Sequence, residues 1–264
     1  MIIGLTGYKS SGKNTVGDFL VDLFDFKEES FAESLKRATA EIFGWPYELL
    51  EGKTNESREF REQIDGFWTE KFGFEITPRW VLQHLGTEVF RNNFLDNIWI
   101  DSLEHRISVY DQLFGNVVIT DVRFVNEIDF IIKQGGVIVD VIGKKQPEWY
   151  DAFYQEFGFQ DEPDLNSEKY KDFEKKWPGF HWSEIARVYA NIPITQFVSI
   201  VNHGSLENLK KNVIETITRL DPNLKPKPER KYEPEKLELV NGEIRSTKKP
   251  VNITDQFLED LRER

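Results

Sequence analysis

The chain has no cysteine and a single methionine among 264 residues. Without thiols there is no disulfide framework, no Cys-ligated metal and no thiol nucleophile, and a reducing, cytoplasmic setting fits. Long apolar runs are also missing. None nears the roughly 20 residues that a membrane helix needs, and no charged-then-apolar leader precedes the first apolar segment, so no membrane partner is expected. Positive charge is in deficit, with 34 Lys and Arg against 46 Asp and Glu and a formal net charge of −12. A surface of that sign repels phosphate backbones, which argues against a polymeric nucleic acid partner. A small anion would have to be held by local cations rather than by the overall field. What is plentiful is aromatic side chain, 14% of residues, so the core can be large. One main domain with appendages suits this length, and no internal repeat is visible.

The first fifteen residues carry the strongest signal. Ile2-Ile3-Gly4-Leu5-Thr6 is an apolar run of strand length, followed by Gly7, four residues, Gly12 and Lys13. Apolar residues then return at Val16, Phe19, Leu20 and Leu23, which is helical spacing. Strand, glycine-bearing loop and helix in that order form a phosphate loop. Its backbone amides converge on one point, and the helix dipole adds positive potential there. Gly7, Ser10, Ser11, Gly12, Lys13, Asn14 and Thr15 are the expected nucleoside triphosphate contacts. Lys13 would reach the β- and γ-phosphates, and Lys9 adds a second cation. The position after the lysine, where Ser or Thr ordinarily meets Mg²⁺, holds Asn14, and Thr15 follows it.

Downstream, strands and helices alternate. Short strands are expected at 26–32, 116–120, 137–142 and 196–201. Helices are expected at 32–43, 46–50, 78–91, 95–109, 126–134 and 206–220, with Ser205 and Ser183 as caps. Arg79, Gln83 and Arg91 are separated by four and eight residues, so on an α-helix all three share a side. Gly86, in mid-helix, implies close approach by a ligand or a neighbouring element. Asp121 ends an interior strand, beside the crevice where open α/β sheets bind ligands, and is placed to hold Mg²⁺ directly or through water; pairing with Arg123 is its plainer role. Residues 51–77 show no clear period. Residues 143–180 are charged and aromatic, an insertion that either covers the site or forms a surface hairpin. From residue 221 the chain turns Pro-rich and charged, then carries a hairpin signal at Asn241-Gly242 and a short amphipathic stretch at 254–264.

The alternation predicts an α/β fold with a parallel sheet of about five strands, in the three-layer P-loop NTPase arrangement. The expected domain spans 1–220, with a helical acceptor-binding region at 44–110, a lid at 143–180 and an extension at 221–264. GTPase guanine and switch motifs are absent, which leaves a small-molecule kinase. The chain resembles the phage-type deoxynucleoside monophosphate kinases, relatives of adenylate kinase and dephospho-CoA kinase. The likeness rests on Gly7–Thr15, Phe31-Ala32 with Leu35-Lys36, Leu82–Glu88, Thr120–Arg123 with Asn126-Glu127, His181-x-Ser183-Glu184 and Asn202-x-Gly204-Ser205-Leu206-Glu207.

That resemblance implies transfer of the ATP γ-phosphoryl group to a deoxynucleoside monophosphate, with Mg²⁺ near Asn14, Thr15 and Asp121. Lys13, Arg79, Asp121 and Arg123 would be catalytic. Lys9, Lys36, Arg79 and Arg123 would surround the acceptor phosphate, and Gln83, Gly86, Thr87 and Trp99 its nucleoside. Phe31, Ala32, Leu35, Arg91 and Glu127 complete the implied acceptor side. An acidic residue is usual where Asn14 stands. The insertion carries lysines but no arginine, so a lid there relies on its lysines or on Arg187. Two alternatives stay open: a kinase of another small acceptor, such as dephospho-CoA or a modified nucleotide, and a non-catalytic nucleotide-binding protein. The expected setting is cytoplasmic, that of a host cell if the chain is phage-encoded, and a homodimer is left open.

Overall fold

The strand β1 (Ile2–Thr6) lies at the centre of the structure, a computed structural model that describes residues 1–110, 115–158, 161–177, 180–227, 237–240 and 243–246. It pairs in parallel with β3 (Val117–Ile119) on one side and β4 (Val137–Gly143) on the other. The strands β2 (Lys27–Glu29) and β5 (Phe197–Asn202) extend the sheet outward, giving the order β2-β3-β1-β4-β5. Parallel neighbours cannot be joined by hairpins, so each connection crosses a face and brings a helix with it.

The period of two along the strands divides the core between the faces. Ile3, Leu5, Val118, Val139 and Val141 pack with α1 (Lys13–Phe24) and α11 (Leu206–Leu220), while Val117, Ile119 and Ile138 pack with α2 (Glu33–Phe43), α7 (Ile98–Tyr110) and α8 (Val125–Lys133). The result is the expected three-layer α/β sandwich. The unit runs Met1–Lys227; the remainder, Pro228–Arg264, is a separate unit in which β6 (Leu237–Val240) pairs antiparallel with β7 (Glu243–Ser246). Asn241 and Gly242, and the helix expected at 254–264, lie outside the described residues.

Two helical inserts interrupt the sandwich. The first, between α2 and α7, holds α3 (Tyr47–Leu50), α4 (Asn55–Glu62), α5 (Gly66–Phe72) and α6 (Pro78–Gln83) over a small core of Trp45, Leu50, Ile76 and Val81. The second, between β4 and β5, holds α9 (Tyr150–Phe157), α10 (Glu168–Lys176) and two 3₁₀ turns over Trp149, Phe153, Tyr170, Phe173, Phe180 and Ile185. It packs as a helical insertion rather than a surface hairpin.

Two local expectations need correction. The helix expected at 78–91 is α-helical only to Gln83; His84–Arg91 is wound as a π-helix. The change of winding alters how far Arg91 is rotated from Arg79 and Gln83. Arg91 is held instead over the Phe124 ring at 4.4 Å and by Glu127 at 2.5 Å. The turn expected to be capped by Ser183 is capped by His181, whose ring nitrogen accepts the Ser183 N–H.

Candidate active site

The loop after β1 has the geometry of a phosphate cradle. Gly7 and Gly12 take φ of +140° and +104°, and Ser10 takes +65°. A Cβ on Gly7 would stand 2.5 Å from the Val141 carbonyl oxygen, so β4 presses on the loop from behind. Asn202, at the end of β5, donates to the Ser11 carbonyl at 2.9 Å. The loop therefore closes against three adjacent strands, and α1 starts from it with its amino end at the cradle. Ser11 Oγ is buried without a hydrogen-bond partner. Asn14 is exposed and Thr15 half-buried on the first turn of α1.

Lys13 folds back over the loop, donating to the carbonyl oxygens of Gly7 (2.6 Å) and Tyr8 (3.0 Å). Burial is the main cause that lowers its pKa to about 8; Glu184 opposes the shift, and Arg123 and Arg187 add to it. Arg123 reaches Ser183 Oγ at 3.1 Å and Glu184 at 3.3 Å, and Arg187 lies over the Tyr8 ring at 4.2 Å and 3.5 Å from Asp140.

Beyond Arg123 the first insert contributes Arg61 and Arg79. Arg61 is partly buried, its Nε has no hydrogen-bond partner, and its pKa falls to about 10, through burial first and then the charges of Arg79 and Arg123. Gly52 makes room for it: a Cβ there would meet the guanidinium at 2.0 Å. Arg79 is paired with the exposed Glu62. Like charges gather at a cost, which an anion between them offsets. Arg61 was not singled out from the sequence because 51–77 has no period to place it; the arginines in that stretch were the available signal.

Other expected residues have structural duties. Asp121 accepts the amides of Phe31 (2.8 Å) and Ala32 (3.0 Å), fixing the turn that starts α2. Phe31 and Leu35 are core residues. Gly86 is buried where a Cβ would stand 2.8 Å from Leu35, so the close approach comes from a neighbouring element; its carbonyl accepts the Trp99 indole N–H at 3.0 Å. Gln83 and Thr87 are exposed. Glu127 is fully buried, its pKa raised by that burial, and accepts the amides of Arg123 and Phe124. Lys36 sits 3.8 Å from Glu33 in a charged cavity of about 450 Å³ beside β2. The charges of that cavity satisfy one another: Arg106 is held by Glu29 and three oxygens, Glu33 by Tyr47 and Arg37, and Lys53 by Glu28. The arginine group, by contrast, keeps a guanidinium nitrogen of Arg61 unmatched.

A parallel sheet of this order, with a phosphate cradle leaving its central strand and cations facing it, defines a phosphotransferase of the P-loop class. The family model for deoxynucleotide monophosphate kinase matches residues 49–164. A protein of Acanthamoeba polyphaga mimivirus, named as a candidate deoxynucleotide monophosphate kinase, is 38% identical over 151 residues, covering 53% of this chain and 73% of its own. The chain belongs to the deoxynucleotide monophosphate kinase family. Among solved structures, a dephospho-CoA kinase of Campylobacter jejuni aligns at TM-score 0.42 and 12% identity over 84% of this chain and 97% of its own. A sugar kinase of Janibacter sp. aligns at TM-score 0.38 and 13% identity over 85% and 97%. Among the described residues no helix is long and apolar enough to cross a membrane.

Proposed function

We propose that this kinase transfers the γ-phosphoryl group of ATP to a deoxynucleoside monophosphate, giving the diphosphate. The observation that carries the reading is the row of cations from Lys13 through Arg123 to Arg61 and Arg79, in which Arg61 has an unmatched nitrogen and like-charged neighbours. Two polyanions must meet in this reaction, and a row of fixed cations supports both at once.

The cradle amides and Lys13 would hold the β- and γ-phosphates. Arg61, Arg79 and Arg123 would turn the acceptor phosphate so that one ionised oxygen attacks the γ-phosphorus in line. A new P–O bond forms, the bond to the β,γ-bridging oxygen breaks, and the electron pair leaves with ADP. The attacking oxygen carries no proton at neutral pH, so no general base is required, and positioning with charge stabilisation supplies the catalysis. Lys9 borders the cradle, and Gln83 and Thr87 would face the acceptor nucleoside. Arg187 and the 143–180 insert would act as the lid that keeps water from the γ-phosphate.

Asn14, Thr15 and Asp121 offer the hard oxygen donors that Mg²⁺ takes, and each Asp121 oxygen accepts only one amide, which leaves lone pairs. Among the described residues no group of three or more acidic or histidine side chains is placed to hold a metal ion. Mg²⁺ there would be held by few protein side chains, with water and phosphate oxygens completing its shell. When bound, it neutralises charge on the β- and γ-phosphates.

The test is ADP formation with each deoxynucleoside monophosphate, common and modified. Turnover with at least one of them is expected. Turnover confined to dephospho-CoA, or none with any acceptor, overturns the reading.

A further inference from the structure

A carboxylate sits among the groups that should be waiting for phosphate. Glu184 Oε2 accepts the backbone N–H of Lys9 at 3.0 Å, and Lys9 lies within the cradle between Gly7 and Gly12. Its other oxygen lies 3.3 Å from Arg123 Nη1, the nitrogen that also donates to Ser183 Oγ at 3.1 Å. Glu184 is also the leading charge that favours the protonated form of Lys13. One side chain thus engages a cradle amide, the arginine and the field of the lysine, the three kinds of group that recognise a phosphate oxygen. The carboxylate is largely buried, its side chain 14% exposed.

The segment that delivers it is firmly built. His181 caps the 3₁₀ turn Trp182–Glu184, with His181 Nδ1 and Ser183 Oγ 2.8 Å apart. Ile185, the next residue, is buried in the aromatic core of the second insert. That core reaches the cradle a second time, through Tyr8, whose ring meets Trp149 and Tyr150 edge-on at 5.7 and 5.5 Å. The Lys9 amide and the Tyr8 ring are adjacent points on the loop, so the insert holds the cradle by one polar and one aromatic contact.

We infer that Glu184 is an internal stand-in for a phosphate oxygen, holding the Lys9 amide and Arg123 in place until a polyphosphate displaces it. A polyphosphate then binds only the fraction of molecules in which the carboxylate has left, and its apparent affinity is reduced by that fraction. Displacement also removes the second insert's polar contact with the cradle and leaves its contacts with the Tyr8 ring, coupling occupancy of the cradle to the hold of the insert on it. The inference rests on the cradle reading proposed above, and it is tested by anion binding rather than by transfer to an acceptor.

The experiment is calorimetric titration of the full chain with inorganic tripolyphosphate, which binds a cradle whether or not the protein transfers phosphate. Glu184→Gln is expected to bind it about tenfold more tightly than the parent. Glu184→Asp keeps the charge but withdraws the carboxylate by one methylene, and is expected to bind about threefold more tightly. Tighter binding by Gln with no change in Asp would mean that only repulsion is relieved, which overturns the inference. Equal or weaker binding by Gln overturns it too, by making Glu184 a brace that the anion needs. If the Gln variant does not fold, the Asp variant alone decides. Failure of the parent to bind tripolyphosphate at all sinks the cradle reading itself, a distinct outcome.

Discussion

The two helical inserts are made of similar material and used in opposite ways. The first, residues 44–97, has a core of four buried apolar residues and leaves Ile64, Phe67, Phe72 and Phe74 about half exposed, and it carries Arg61 with a nitrogen unmatched. The second, residues 144–196, closes six residues into a nearly all-aromatic core, and its charges nearest the loop are engaged: Glu184 with Lys9 and Arg123, Arg187 with Asp140 and Tyr8. A small core and unmatched charge leave the first side less firmly ordered by its own contacts, so a bound ligand would add to its order. Dense aromatic packing means that the second side is ordered beforehand. On the proposed function, one insert would receive the acceptor and the other would hold the loop that binds the triphosphate.

The loop between them sets the scale against which either insert is judged. Lys13→Ala removes the cation from the cradle and should lower kcat by about 10³-fold or more, with circular dichroism and melting little changed. A smaller loss would mean that the inserts, not the loop, provide most of the charge stabilisation. Next in size is the packing of the second insert. Phe153 is fully buried among Trp149, Phe157, Phe173 and Phe180, so Phe153→Ala should cost about 3–5 kcal/mol by denaturant unfolding. A cost under about 1 kcal/mol would erase the contrast in packing.

The parts legible in the sequence were those with a period or a fixed spacing. The alternating strands gave the sheet, the Gly7-to-Lys13 spacing gave the cradle, and the Ser205 cap with its 3.6-residue period gave α11. What escaped notice lacked either cue. In 51–77 the helices α4 and α5 are eight and seven residues long, about two turns each, too short for a face to repeat. The π-winding of His84–Arg91 has no local signature, because Leu85, Val89 and Phe90 fit the apolar spacing of an α-helix as well. Glu184 looked like part of an ordinary helix start; its contact with Lys9 spans 175 residues and no pattern announces it.

Arg61 tests the receiving insert directly. Arg61→Ala should lower kcat/KM for the acceptor about a hundredfold while KM for ATP moves little, and Arg61→Lys should restore only part of the loss, because a point charge cannot replace the guanidinium fork. Equal damage to ATP and acceptor kinetics would mean that Arg61 supports the loop, and the division of labour between the inserts would fall.

The smallest expected effect is also the most discriminating, since it separates charge from stability at one residue. Lys13 has a pKa near 8 in the folded protein against an ordinary 10.5, so above pH 8 the ligand-free cradle loses its cation. The parameter that reports on the free protein, kcat/KM for ATP, should fall toward a tenfold loss per pH unit beyond that point. A bound triphosphate stabilises the ammonium, so kcat itself should stay flatter. Stability moves the other way: between pH 8 and 10.5 the unfolded chain binds more protons at Lys13 than the folded one, so this residue's contribution rises with pH through that window. A melting temperature that holds through this window while catalytic efficiency declines would exclude alkaline unfolding as the cause. A kcat/KM that holds level to pH 9.5 would mean that Glu184 dominates the field at Lys13 and keeps it charged without any ligand.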